Sequence, residues 1–153
     1  MPPSLNKPFF TKLLTVASTS TTATSPIFTI PMADNYTFFM NVTTATAGTC
    51  DVVFQTSVDG GTTFVNIPWR FAQIATTTGC FVLNCGSGVG GSSYDVTAAT
   101  GTATLIADTG GALNLQAVVD PLNMKVKYTI ATGPDAFTLY VGCWPRAGGT
   151  GSE

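Results

Sequence analysis

Few residues in this 153-residue chain are able to carry chemistry. Seven aspartates (Asp34, Asp51, Asp59, Asp95, Asp108, Asp120, Asp135) and one glutamate, Glu153, supply the carboxylates. Four cysteines (Cys50, Cys80, Cys85, Cys143) supply the thiols, and there is no histidine. Without an imidazole, neither a Ser-His-Asp nor a Cys-His relay can be assembled. A glycosidase pair would have to be two aspartates, because Glu153 is the terminal residue. The aspartates, however, stand in contexts such as "ADN", "VDGG", "ADTGG", "VDPL" and "GPDA". There a carboxylate caps a turn by accepting neighbouring backbone N–H groups. No EF-hand-like spacing organises them around calcium, and no glycine run carries the G-K-[ST] of a phosphate-binding loop. The thiols contain no C-x-x-C pair, so a zinc site would need all four at poor spacing. Cys50 shares strand parity with Val52 and Phe54, and Cys143 with Leu139 and Val141, which makes both small buried hydrophobes. Cys80 and Cys85 leave a bridge across a tight loop open, with free thiols as the default. These residues offer no catalytic, cofactor-binding or metal-binding set, and the expectation is a protein that is not an enzyme.

One stretch looks more like a motif. "SVDGGTTF", residues 57–64, follows the pattern S-x-D-x-G-x-T-F. It resembles the Asp-box of bacterial sialidases and related β-propellers. In those proteins the motif recurs on successive blades, away from the catalytic centre, whereas here there is one copy. A sialidase-like site also needs an arginine cluster, and this chain has only Arg70 and Arg146. What remains is hairpin chemistry. Ser57 opens the turn and Asp59 accepts backbone hydrogen bonds from residues ahead. Gly60 and Gly61 allow positive φ, Thr63 satisfies another turn group, and Phe64 inserts under the hairpin as its apolar anchor.

The elements that must hold such a turn are strands. Apolar and aromatic residues alternate with polar ones at Tyr36, Phe38, Met40, Val42 and again at Cys50, Val52, Phe54, Thr56. Val65, Ile67, Trp69 and Phe71 continue the habit, and Pro68 marks that strand as an edge or a bulge because it lacks a ladder donor. Phe28, Ile30, Met32 form a shorter set, and "CFVLNC" is a brief apolar run. Later sets are Leu113, Leu115, Ala117, Val119, then Met124, Val126, Tyr128, Ile130, and last Phe137, Leu139, Val141, Cys143. Short strands joined by glycine-rich turns, with no helical period, give an all-β fold: an antiparallel β-sandwich, jelly-roll or Ig-like. Residues 1–24 are expected as an extended N-terminal arm containing a first strand near Lys12–Val16. Residues 25–146 form the sandwich and 147–153 a flexible tail. The glycine-rich segment 86–111 holds one strand around Thr102–Ala107.

Composition narrows the class further. Hydrophobic residues are 44 %, so the chain is globular, but charged residues are only 9 %, against roughly 25 % in an ordinary soluble domain. Depleted charge is a property of surfaces that meet partners. Six scattered Lys and Arg and a net charge of −2 make no phosphate-binding stripe, so no nucleic acid is expected. No apolar run approaches the roughly 18 residues of a membrane span. Leu13–Ala17 is too short for a secretory signal. Asn35-Tyr-Thr and Asn41-Val-Thr match the glycosylation sequon, which acts only in a eukaryotic secretory path.

The block "YTFFMNVTTATAGTCDVVFQTSVDGGTTFVNIPWRF", residues 36–71, resembles small structural proteins of tailed bacteriophages. So does the closing hairpin "LNMKVKYTIATGPDAFTLYV", residues 122–141; together the two blocks cover over a third of the chain. The resemblance implies a virion component: a capsid decoration or cement protein that binds the major capsid protein on the outer shell and stabilises the head. It would assemble in the host cytoplasm as a homo-oligomer, such as a trimer at three-fold positions. Phe9, Phe10, Leu13 and Leu14 would be the arm's docking residues. A head-fibre, tail or baseplate module is the nearest alternative. A carbohydrate-binding sandwich, with Trp69, Tyr94 or Trp144 stacking on sugars, is the alternative from another class.

Overall fold

A computed structural model describes residues 8–86, 89–95, 104–105 and 120–144. Among them are eleven strands and no helix. In chain order these are β1 (Phe9–Thr19), β2 (Thr22–Thr24), β3 (Asn35–Thr44), β4 (Thr49–Ser57), β5 (Phe64–Arg70) and β6 (Ile74–Ala75). They continue with β7 (Gly79–Gly86), β8 (Val89–Asp95), β9 (Thr104–Leu105), β10 (Met124–Ala131) and β11 (Asp135–Cys143). A six-stranded sheet runs β1-β11-β3-β7-β8-β9 and a second sheet runs β2-β10-β4-β5, with β6 paired to β4. The two pack face to face as an all-β sandwich.

The pairing is nested. β1 joins β11, β2 joins β10, β3 joins β7 and β4 joins β5, all antiparallel. One long hairpin rolled across two sheets produces this order, and it is that of a jelly roll rather than an immunoglobulin sandwich. β8 and β9 widen the first sheet beyond β7.

Alternation puts one face of every long strand into the core. On β11 every second residue from Asp135 to Cys143 is buried, and on β3 Tyr36, Phe38, Met40 and Val42 are buried. Phe38 of one sheet meets Phe54 of the other at 4.1 Å between ring centres, with Trp69 against Phe38 and Tyr36. β5 lies at a sheet edge, and its register with β4 shifts between Val53 and Gln55, so the Pro68 strand is both edge and bulged.

Two connections carry the chain between sheets at one end, residues 45–48 and 132–134, and they lock together. The Thr46 N–H donates to the Asp135 carboxylate (3.1 Å) and the Thr46 hydroxyl to the Pro134 carbonyl (3.0 Å). Gly48 has φ +136°, and a Cβ there would collide with the Ala131 carbonyl oxygen; a Cβ at Gly133 would collide with that of Ala47.

Several expectations change. The arm drawn over residues 1–24 is sheet from Phe9 onward, since β1 pairs along β11 and β2 pairs with β10; residues 1–7 lie outside the described residues. A bulge between Lys12 and Leu14 lets Leu13 and Leu14 both pack against the core, which hides the strand's period. Phe28, Ile30 and Met32 form no strand. Only Phe28 bridges to Met124, because Pro26 and Pro31 remove ladder donors on either side. Val65 is exposed at the start of β5. β9 falls inside the strand expected around Thr102–Ala107, but segment 86–111, expected to hold that one strand, also contains β8, which pairs with β7. The Leu113–Val119 set and the 147–153 tail lie outside the described residues.

Candidate functional site

The SVDGGTTF turn is built from two side chains that gather backbone donors. The Ser57 hydroxyl accepts from Gly61 N–H (2.6 Å) and Asp59 N–H (3.3 Å). One oxygen of Asp59 accepts from Thr63 N–H (2.6 Å), Thr62 N–H (3.0 Å) and the Ser57 hydroxyl (3.2 Å). These bonds, the Thr63 N–H first, hold the Asp59 carboxyl down at about 2. Gly60 and Gly61 take the positive φ that the reversal requires. Phe64 corrects the expectation of an anchor beneath the hairpin. It lies half-exposed on the outer side of β5, in step with Asn66 and Arg70, and the Lys125 ammonium sits 4.2 Å from its ring centre.

This turn leans on a second one. Ser57 N–H donates to the Asn123 carbonyl (3.0 Å), and Asp120 N–H to the Thr56 hydroxyl (2.7 Å). Asp120 in turn accepts from Leu122 N–H (3.0 Å) and the Asn123 amide (2.8 Å). A third segment, 28–33, docks on the same turn: Ile30 N–H reaches the Pro121 carbonyl (2.8 Å) and the Thr29 hydroxyl the Leu122 carbonyl (3.0 Å). Tyr36 fixes the far side of this segment, its hydroxyl donating to the Pro31 carbonyl (2.7 Å) and accepting from Ala33 N–H (3.0 Å).

With their polar groups satisfied in these ways, the loops leave an apolar groove of about 490 Å³ between them. Phe9, Pro31, Met32, Pro121 and Leu122 line it. Met32 is 64 % and Leu122 63 % exposed, on backbone that the hydrogen bonds of Ile30, Thr29 and Tyr36 tie down. Around the corner, on the outer side of β1, β11 and β3, lies an aromatic patch. Phe10 stacks on Tyr140 (5.6 Å, 9° between planes) and meets Phe39 edge-on (5.8 Å).

The four residues expected to dock an arm are therefore split. Phe9 enters the groove, Leu13 and Leu14 pack on their own core, and Phe10 alone stands out from the sheet. Met32, Pro31, Pro121 and Leu122 were not anticipated. Their signal was an apolar residue inside a proline-bounded turn, "IPMAD" and "DPLN", where no sheet face exists to bury it.

Reactive side chains are not gathered. Among the described residues no three His, Cys, Asp or Glu side chains converge as for a metal. None of the four cysteines is in a disulfide. Burial, assisted by Asp135 and Asp51, pushes Cys50 up to about 12, and burial raises Cys85 and Cys143 as well. Cys80 and Cys85 lie five positions apart on β7 and so on opposite faces, exposed and buried, which settles the open bridge as absent. Trp69 is 1 % exposed and cannot stack on a sugar, while Trp144 is 66 % exposed; the side chain of Tyr94 lies outside the described residues.

No family model, curated protein or solved structure matches the chain.

Proposed function

We propose that the chain is a non-enzymatic virion protein of a tailed bacteriophage, a decoration or cement protein that holds to the outer shell of the head and stabilises it. The observation that carries this reading is the groove, an apolar surface kept open by a satisfied polar frame. Such a surface suits adhesion, because an apolar side chain of a partner can enter without displacing a hydrogen bond of the host. The low charge of the chain and the phage-like blocks at residues 36–71 and 122–141 support the same reading. The contacted protein is then the major capsid protein, and the protein's place is the capsid surface after assembly in the host cytoplasm. Docking shifts from a free arm to the groove, with Phe9 as the arm's contribution to it.

The mechanism is added interfacial area. A shell under internal pressure fails where subunits part, and a bound cement protein must be stripped before they do. Purified protein mixed with undecorated heads is expected to co-sediment at fixed stoichiometry and to raise the temperature at which the heads burst. Met32→Asp with Leu122→Asp should abolish both effects while leaving the sandwich folded. Failure of the unaltered protein to bind heads, or binding that adds no resistance, overturns the reading.

A further inference from the structure

We infer that the outer face of the six-stranded sheet is a self-association surface, which pairs with the same face of a second copy of this chain. The inference does not rest on what the groove binds. Antiparallel register sets the outward residues in cross-strand rows. Lys12, Tyr140, Phe39 and Val82 form one row across β1, β11, β3 and β7. The rows on either side of it add Phe10 and otherwise only glycine, threonine, asparagine and cysteine: Gly142, Thr37 and Asn84 on one side, Thr15, Thr138, Asn41 and Cys80 on the other. Lys12, on the edge strand, is the one charge among these twelve positions.

Such a face meets the requirements of a two-fold contact. An isologous interface opposes a surface to itself, so a central charge would face its own copy. Here the centre, β11 and β3, is uncharged, and a two-fold axis running along the strands between them sets the two Lys12 side chains on opposite edges. At the centre stand the aromatic anchors that protein contacts favour. Phe10 is 64 % exposed although its ring is already ordered by Tyr140 and Phe39, so burying it costs little further side-chain entropy. Gly142 makes room for these rings, since a Cβ there would lie 3.3 Å from Phe10 and 3.6 Å from Phe39. Four strands at about 4.8 Å spacing and three rows at about 6.6 Å along the strands make a patch of roughly 400 Å² in plan. With side-chain relief this is on the order of the ~800 Å² per partner of a standard interface.

The test is sedimentation velocity on the purified full chain across the micromolar range. A species of twice 15.8 kDa is expected. Thr138→Lys sets a new charge near the axis and should weaken the dimer about tenfold or more, whereas Thr129→Lys, the same change on the opposite sheet's outer face, should leave it intact. Far-ultraviolet circular dichroism checks that both variants fold. A chain that stays monomeric throughout, a dimer indifferent to Thr138→Lys, or a trimer surviving that change would each overturn the inference. So would a monomer that binds a neutral polysaccharide and loses it on Phe10→Ala, since the face would then be a sugar platform.

Discussion

The two outer faces of the sandwich follow one rule of alternation and yet differ sharply in chemistry. The outward positions of β4, β5 and β10 include Asp51, Arg70, Lys125 and Lys127, four charges on one face. Asp51 is held by the Gln73 amide at 3.0 Å to both oxygens, and Lys125 lies over Phe64. The outward positions of β1, β11, β3 and β7 hold Lys12 alone, beside an aromatic cluster. Folding does not demand the difference, because both inner faces are equally apolar and the core is indifferent to what points away from it. An uncharged face is a cost to solubility that a sheet can escape with one or two lysines. The difference is what the inferred self-association would account for, since a face that meets its own copy has reason to shed charge and the second sheet's face does not.

The frame on which both faces hang is where the largest effects are expected. Phe38→Ala removes the ring that meets Phe54 across the sandwich, and should cost about 3–5 kcal/mol in denaturant unfolding. A smaller loss would mean that the sheets close up over the cavity. Gly48→Ala attacks the frame at the crossing between sheets, where a Cβ strikes the Ala131 carbonyl and φ is +136°. It should cost about 3 kcal/mol. If the variant is as stable as the parent, the interlock of the two crossings is not what joins the faces at that end.

Substitutions on the faces themselves should be nearly silent for folding. Thr138→Lys and Thr129→Lys place the same side chain at outward, half-exposed strand positions, one on each face. Each should shift monomer stability by no more than about 0.5 kcal/mol, measured in dilute solution by urea unfolding. A large loss for one of them would show that its face contributes to folding, and the contrast between faces would lose its meaning.

How far this contrast could be read beforehand depends on the distance over which each feature is encoded. The inward sets on β3, β4 and β11 were legible because alternation is local, and the edge position of β5 because Pro68 announces it. The outward place of Phe64 was legible too, since it shares parity with Asn66 and Arg70 and opposes Ile67 and Trp69. The strand at Phe9–Thr19 was only partly visible because its bulge sets Leu13 and Leu14 on the same side. Its partner, β11, lies at the far end of the chain, and so do the partners that make the order a jelly roll. The groove was invisible for the same reason: "IPM" and "DPL" meet only after β10 has paired with the turn at Phe28. Local pattern names strands, whereas a site assembled from separate loops appears only with the topology.

An effect that appears only against pH concerns Asp59, a charge that belongs to the hairpin end rather than to either face. Its carboxyl is held at about 2, against an ordinary 3.8, chiefly by the Thr63 backbone N–H. A carboxylate that binds its proton less readily in the folded chain stabilises the fold wherever it is ionised in both states. Its contribution is thus complete above 3.8 and fades as the pH falls through about 2. Asp59→Asn retains an oxygen for the Thr62 and Thr63 N–H groups but removes the charge. The variant should be less stable than the parent at neutral pH, and the gap in urea midpoint should close as the pH is lowered from about 4 towards 2. The comparison of parent with variant cancels the titration of the other aspartates. A gap that stays constant with pH would show that the turn needs only the oxygen and its geometry. A gap that closes would show that the ionised group itself braces the hairpin, so that in this sparsely charged chain the Asp59 charge serves the fold.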